Sequence, residues 1–76
     1  MSGMVSVVLQ RCLGRTVFIR LKSGREIKGK LVGFDRHLNL FMEEVEKITG
    51  DLSNVKRLET IILRGDSILF IFLPRL

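Results

Sequence analysis

The run from Glu26 to Phe34 limits what this chain can fold into more than any other stretch. Polar and apolar residues alternate along it, the pattern of a β-strand with one buried face. Ile27, Gly29, Leu31 and Gly33 then share that face. Glycine at alternate positions leaves no side chains to keep a strand flat, so it marks sharp bending or the close approach of another backbone. A long strand bent at Gly29 and Gly33 suits a small closed barrel.

The rest of the chain supplies the other staves. Val17, Ile19 and Leu21 alternate with Thr16, Phe18, Arg20 and Lys22, which predicts a first strand. Ser23-Gly24-Arg25 is a turn into the second. A third strand runs from about Asn39 to Ile48, with Glu43, Glu44 and Glu46 as a solvated face. Thr49 to Asn54 holds Gly50, Asp51, Ser53 and Asn54 and reads as a loop. A fourth strand spans Lys56 to Leu63 and a fifth Ser67 to Leu73, where Pro74 stops it. Ahead of all five, Val5, Val8, Leu9, Cys12 and Leu13 have helical spacing, which predicts a helix over 4–13. Ser2 is its candidate cap and Gly14 its end. The fold class is therefore mainly β: a short N-terminal α-helix, then a strongly bent five-stranded antiparallel SH3-like barrel, in one domain over 1–76.

A chain of 76 residues buries only roughly 60% of its surface on folding, so association is a common remedy for marginal stability. The last two strands point the same way. Ile61 to Leu63 and Ile68 to Leu73 are apolar on both faces, and they read as a hairpin reversed by Arg64-Gly65-Asp66. A domain this small has little with which to cover both faces, and open apolar edges template aggregation. A second copy is the economical cover. Head-to-tail pairing closes into a ring when the rotation permits, and a β-sandwich or a dimer satisfies the same pattern.

Thirteen Lys and Arg against eight Asp and Glu give a net charge of +5. That suits a polyanionic partner, and it equally suits ordinary solubility charge. Lys22, Arg25, Lys28 and Lys30 are either phosphate contacts or a solvated basic face. No apolar run approaches the ~20 residues of a membrane span, and the N-terminus lacks the order of a signal peptide. A soluble, cytoplasmic protein with no membrane partner is expected. The single cysteine, Cys12, has no internal disulfide partner, and with one histidine there is no Cys/His zinc set. Cys12 reads as a small buried hydrophobe. Without a nucleophile–base pair or metal cluster, neither catalysis, nor a cofactor, nor a small-molecule substrate is expected.

Two turns hold the chemistry. Asp35-Arg36-His37-Leu38-Asn39 and Arg64-Gly65-Asp66 each sit between strands. An imidazole and a guanidinium are flat groups on which a base stacks, and an asparagine amide offers one donor and one acceptor to a base edge. If the turns meet in space, they form a pocket for a single-stranded RNA base. A freely flipping amide would accept uracil or cytosine alike, so something must hold Asn39, and Asp35 is the candidate because a carboxylate only accepts. The N–H groups of Gly65 and Asp66 are further donors for the base, and Gly65 is expected to serve a turn needing φ > 0. Each residue also has a plainer reading: Asp35 as a turn residue, His37 as a loop side chain, Arg64 as half of an ion pair with Asp66.

These residues resemble the Sm and Sm-like (LSm) family, more its archaeal homomeric members than the eukaryotic ones. The first Sm motif lies in 16–48, with Leu21-Lys22-Ser23-Gly24, Lys28-Gly29-Lys30-Leu31, Gly33-Phe34-Asp35 and His37-Leu38-Asn39. The second lies in 56–73, with Ile62-Leu63-Arg64-Gly65-Asp66 and its trailing apolar strand. Leu38 stands where the family often has Met, and Glu59 lies near a position where many archaeal members carry glycine. Met1 to Val8 is not the usual family opening. The resemblance implies rings, usually of seven identical subunits, closed by fourth and fifth strands of neighbours. Seven copies at +5 carry about +35, a strong field for RNA. It also implies that His37 and Arg64 sandwich a uracil whose edge Asn39 reads, in a chaperone or scaffold of RNA processing that binds uridine-rich single strands. A ring that serves chiefly as a scaffold for protein partners is the other function compatible with these residues.

Overall fold

The computed structural model describes residues 3–48 and 56–75, with 56–58 described by backbone alone. The expected cap at Ser2 and loop over 49–54 lie outside the described residues. A helix, α1 (Gly3–Cys12), precedes β1 (Thr16–Leu21), β2 (Glu26–Phe34), β3 (Leu40–Ile48), β4 (Lys56–Leu63) and β5 (Ile68–Phe72). One 3-10 turn, Gly65–Ser67, joins β4 to β5. Leu9 and Cys12 tie α1 to the core, while Val5 stays 40% exposed. Gly14 ends the helix at φ +79, and its N–H donates to the Leu31 carbonyl at 2.7 Å, which fastens the helix end to β2.

All strand pairs are antiparallel, in the order β4-β3-β2-β1-β5. This corrects the expected final hairpin: β4 and β5 do not pair but lie at opposite edges of the sheet. Curvature is the reason. Laid flat, the outer strands of five would be about 19 Å apart. The link from Leu63 to Ile68 reaches at most about 17 Å fully extended, and a 3-10 turn shortens it. Only a curled sheet lets so short a connection join its two edges.

Two register shifts between β2 and β3 drive the curl. Lys30 pairs with Glu43 but Lys28 with Glu46, so β3 carries an extra residue there. Glu44 absorbs it at φ +52. The buried side of β3 changes phase across it, from Leu40 and Met42 to Val45. Leu31 pairs with Met42 but Gly33 with Phe41, so Val32 is the extra residue on β2. Val32 therefore moves Gly33 off the face shared by Ile27, Gly29 and Leu31. Of the two glycines, Gly29 is the one under compression: a Cβ there would lie 3.0 Å from Val45 Cγ2 and 3.1 Å from Met42 Cε. At Gly33 it would meet only Phe41 Cβ, at 3.8 Å.

The core comprises Leu9, Cys12, Val17, Ile19, Ile27, Leu31, Leu40, Met42, Val45, Leu63 and Ile68, with no buried polar residue among those described. The second apolar faces of the edge strands stay open: Ile62 is 71% exposed on β4, and Leu69 and Phe72 are exposed on β5. Among the described residues, no helix is long and apolar enough to cross a membrane.

Candidate nucleic-acid interface

The curl brings the two polar turns together. The N–H of Gly65 donates to Asn39 Oδ1 at 2.9 Å, across 26 residues of sequence. Gly65 packs so tightly on the other turn that a Cβ would lie 2.2 Å from the His37 carbonyl oxygen and 2.9 Å from the Leu38 carbonyl. The structure therefore revises two expectations. Gly65 does not adopt positive φ, and what requires glycine is the approach of another backbone. Its N–H is also committed to Asn39 rather than open to a ligand.

Asp35 organises the first turn. Its Oδ1 accepts the backbone N–H groups of His37 at 2.8 Å and Asn39 at 3.0 Å, a side-chain mimic of a backbone turn. Its Oδ2 accepts the Asn39 side-chain amide at 3.0 Å. The turn reading and the amide-holding reading are thus both true of one carboxylate. The Asn39 bonds, first the side-chain one, hold the Asp35 carboxyl below the usual carboxylate value. It is ionised at neutral pH and only accepts. A backbone N–H only donates. Both ends of the Asn39 amide are thereby forced in the same sense, with Nδ2 toward Asp35 and Oδ1 toward Gly65.

One N–H and one lone pair of that amide remain, side by side and in fixed order. Uracil presents an N–H beside a carbonyl, which a fixed amide can match while its base is held in one pose. Cytosine in the same pose presents the reverse.

The two flat groups stand in the turns that this contact joins, His37 two residues before Asn39 and Arg64 next to Gly65, both exposed. Arg36 Nε donates to His37 Nε2 at 3.4 Å. Arg64 pairs with Asp66 at 3.1 Å, so the plainer reading of that arginine also holds in the free chain. Their side chains are 77% and 66% exposed, and solvent screening makes such a pair cheap to exchange for another partner. Sequence reasoning missed the neighbouring cavity of about 240 Å³, lined by Gly33, Phe34, Asp35, Asn39, Leu40, Phe41 and Ile62. Its signal was there: Asn39 lies two residues before Phe41 at the entry to β3, Arg64 lies two residues after Ile62 at the exit of β4, and Phe41 pairs with Ile62. Among the described residues, no group of His, Cys, Asp and Glu has the arrangement of a metal site.

Comparison with known proteins places this geometry. The family model for the LSM domain matches residues 7–73. The chain belongs to the Sm-like family. An snRNP Sm-like protein of Archaeoglobus fulgidus is 40% identical over 65 residues, covering 84% of this chain and 82% of its own. The P. aerophilum SmAP1 heptamer superposes with a TM-score of 0.87 at 33% identity, covering 99% of both chains. The Pyrococcus abyssi Sm protein, solved in complex with a uridine heptamer, gives 0.81 at 37% identity, covering 96% of this chain and 100% of its own. The helix followed by a bent five-stranded antiparallel sheet is the Sm fold of these relatives.

Proposed function

We propose that this Sm-like chain, a single domain over 1–76, assembles into a homo-oligomeric ring, a heptamer as in its relatives, and binds uridine-rich single-stranded RNA. Each subunit takes one uracil between His37 and Arg64. Asn39 reads its edge, Asp35 and Gly65 hold Asn39, and the Asp66 turn completes the wall. The observation that carries this reading is the double lock on the Asn39 amide. Orientation at both ends is unnecessary for a loop residue, and it is what discrimination between uracil and cytosine requires. The open edges of β4 and β5 supply the ring contacts, and their exposed second faces supply apolar area to bury. The site performs no covalent chemistry. Affinity comes from repetition, each modest site adding to its neighbours on one strand. The cell would use such a ring as a cytoplasmic chaperone or scaffold in RNA processing.

Native mass spectrometry gives the subunit count, and oligo(U) against oligo(C) at fixed salt tests the slot. Asn39→Ala should abolish the preference, while His37→Ala and Arg64→Ala should each weaken binding by roughly 1–3 kcal/mol. Undiminished oligo(U) binding by all three variants would rule the slot out. Equal affinity of the unaltered ring for both oligonucleotides would leave a protein scaffold with charge-driven RNA affinity.

A further inference from the structure

Arg36 is the one polar side chain between Asp35 and Asn39 to which the slot gives no part. The backbone on both sides of it is pinned: the Asp35 carbonyl accepts the Leu38 N–H at 3.1 Å, and Asp35 Oδ1 accepts the His37 N–H at 2.8 Å. Arg36 therefore rides at the tip of a fixed turn, exposed like His37 beside it. Among the described residues, no carboxylate forms an ion pair with Arg36. Asp66 is engaged with Arg64, and the oxygens of Asp35 are taken by three N–H groups.

The contact that Arg36 does make is with the neighbouring imidazole, through Nε to His37 Nε2 at 3.4 Å. A guanidinium only donates, so Nε2 is the acceptor and the imidazole carries its proton on Nδ1. An imidazole free in water favours the opposite tautomer, so the contact leaves a signature. The Nε2 lone pair lies in the plane of the imidazole, and a bond to it leaves the stacking faces open. It also uses only one of the five guanidinium N–H groups. The four on the terminal nitrogens have no partner among the described residues. A uracil whose N–H and carbonyl edge meets Asn39 turns its glycosidic bond to the far side of the base, toward the exposed tip of the turn, and its phosphate follows.

We propose that Arg36 is a positioning residue of the uracil slot: its Nε holds the His37 imidazole by one edge, and its free N–H groups take the phosphate of the nucleotide stacked there. This rests on the slot reading and adds the residue that joins base stacking to backbone recognition. A guanidinium suits both tasks, because its donors form a planar fork that matches phosphate. An imidazole held in advance loses less freedom when a base arrives, so the hold raises affinity for any stacked base. The choice between bases stays with Asn39.

Two substitutions separate the tasks. The side-chain nitrogen of glutamine stands as many bonds from Cα as Nε of arginine, so Arg36→Gln keeps a donor for His37 and removes the charge and the terminal N–H groups. Arg36→Met has similar length and neither. In the free protein at about pH 9, where an imidazole is neutral, two-bond proton–nitrogen NMR should show the Nδ1–H tautomer of His37 in the unaltered chain and in Arg36→Gln, and a shift toward Nε2–H in Arg36→Met. In the assembled protein, Arg36→Gln should lower the logarithmic salt dependence of oligo(U) binding by about 0.7 for each slot filled. Arg36→Met should bind oligo(U) about threefold more weakly again than Arg36→Gln. An unchanged salt dependence in Arg36→Gln overturns the phosphate contact, and an unchanged tautomer in Arg36→Met overturns the hold on His37. Failure of the slot itself is read separately, in the oligo(U) to oligo(C) ratio of the unaltered protein, which neither substitution should change.

Discussion

Replacing Gly65 with alanine removes no functional group, yet it should damage both the fold and the selectivity. The added Cβ would sit 2.2 Å from the His37 carbonyl oxygen and 2.9 Å from the Leu38 carbonyl carbon and oxygen. These are backbone atoms held by the Asp35 turn, so no side-chain rotamer relieves the clash. Ordinary contact requires the two turns to part by about 1 Å, and overpacking of this kind costs typically 1–3 kcal/mol. Parting lengthens the bond from Gly65 to Asn39 Oδ1, with a further loss of about 0.5–1.5 kcal/mol. Alanine returns about 0.4–1 kcal/mol by restricting the unfolded chain. The balance is about 2–3 kcal/mol, or about 10–20 °C in Tm for a domain of this size. Thermal unfolding by circular dichroism at one fixed protein concentration measures it, since assembly makes Tm concentration-dependent. Gly33→Ala is the control: its Cβ would meet only Phe41 Cβ at 3.8 Å, and stability should hold or rise by up to about 1 kcal/mol. With Oδ1 released, the Gly65→Ala protein should also lose most of its oligo(U) preference. A Tm within about 3 °C of the parent, with the preference intact, would refute the close-approach account of this glycine.

Acid should unlock the same site from the other side. The carboxyl of folded Asp35 is held below its ordinary value of 3.8, chiefly by the Asn39 amide. A lowered folded pKa gives stabilisation that is present above the unfolded value and lost as pH falls through the folded one. The Asn39 side-chain amide signals in an NMR titration should therefore hold from neutral pH to below 3.8, and a midpoint at or above 3.8 would contradict the bond. Leu31 is fully buried, so Leu31→Ala should cost about 2–5 kcal/mol in denaturant unfolding, and a loss under 1 would mean the core closes over the space. Glu44 occupies the left-handed region at φ +52. Glu44→Val should therefore destabilise by about 1–2 kcal/mol while Glu44→Gly does not, and equal effects would show that the bulge moves elsewhere.

Strand existence was legible because period-two alternation runs through β1, as Val17, Ile19 and Leu21 show, and through β2 as far as Leu31, while unbroken apolar runs marked β4 and β5. The wrong hairpin came from reading Leu63 and Ile68 as neighbours across a reversal. Local pattern says where the chain turns but not whether it returns on the same side of the sheet. That choice is made by curvature, and curvature depends on extra residues such as Val32 and Glu44, neither of which looks unusual in sequence. The site divides in the same way. The Asp35 bonds to His37 and Asn39 are local, within four residues, and follow from side-chain chemistry at fixed spacing. The Gly65 contact spans 26 residues and exists only because the sheet curls far enough to set β4's end against the β2–β3 turn. A positive-φ role was the natural assignment for a glycine in a turn, because nothing local betrays a backbone approaching from elsewhere. Curl and lock are therefore one property. A change that flattens the sheet, even at Gly29 beneath Val45 and Met42, should loosen the Asn39 amide without touching any residue of the slot.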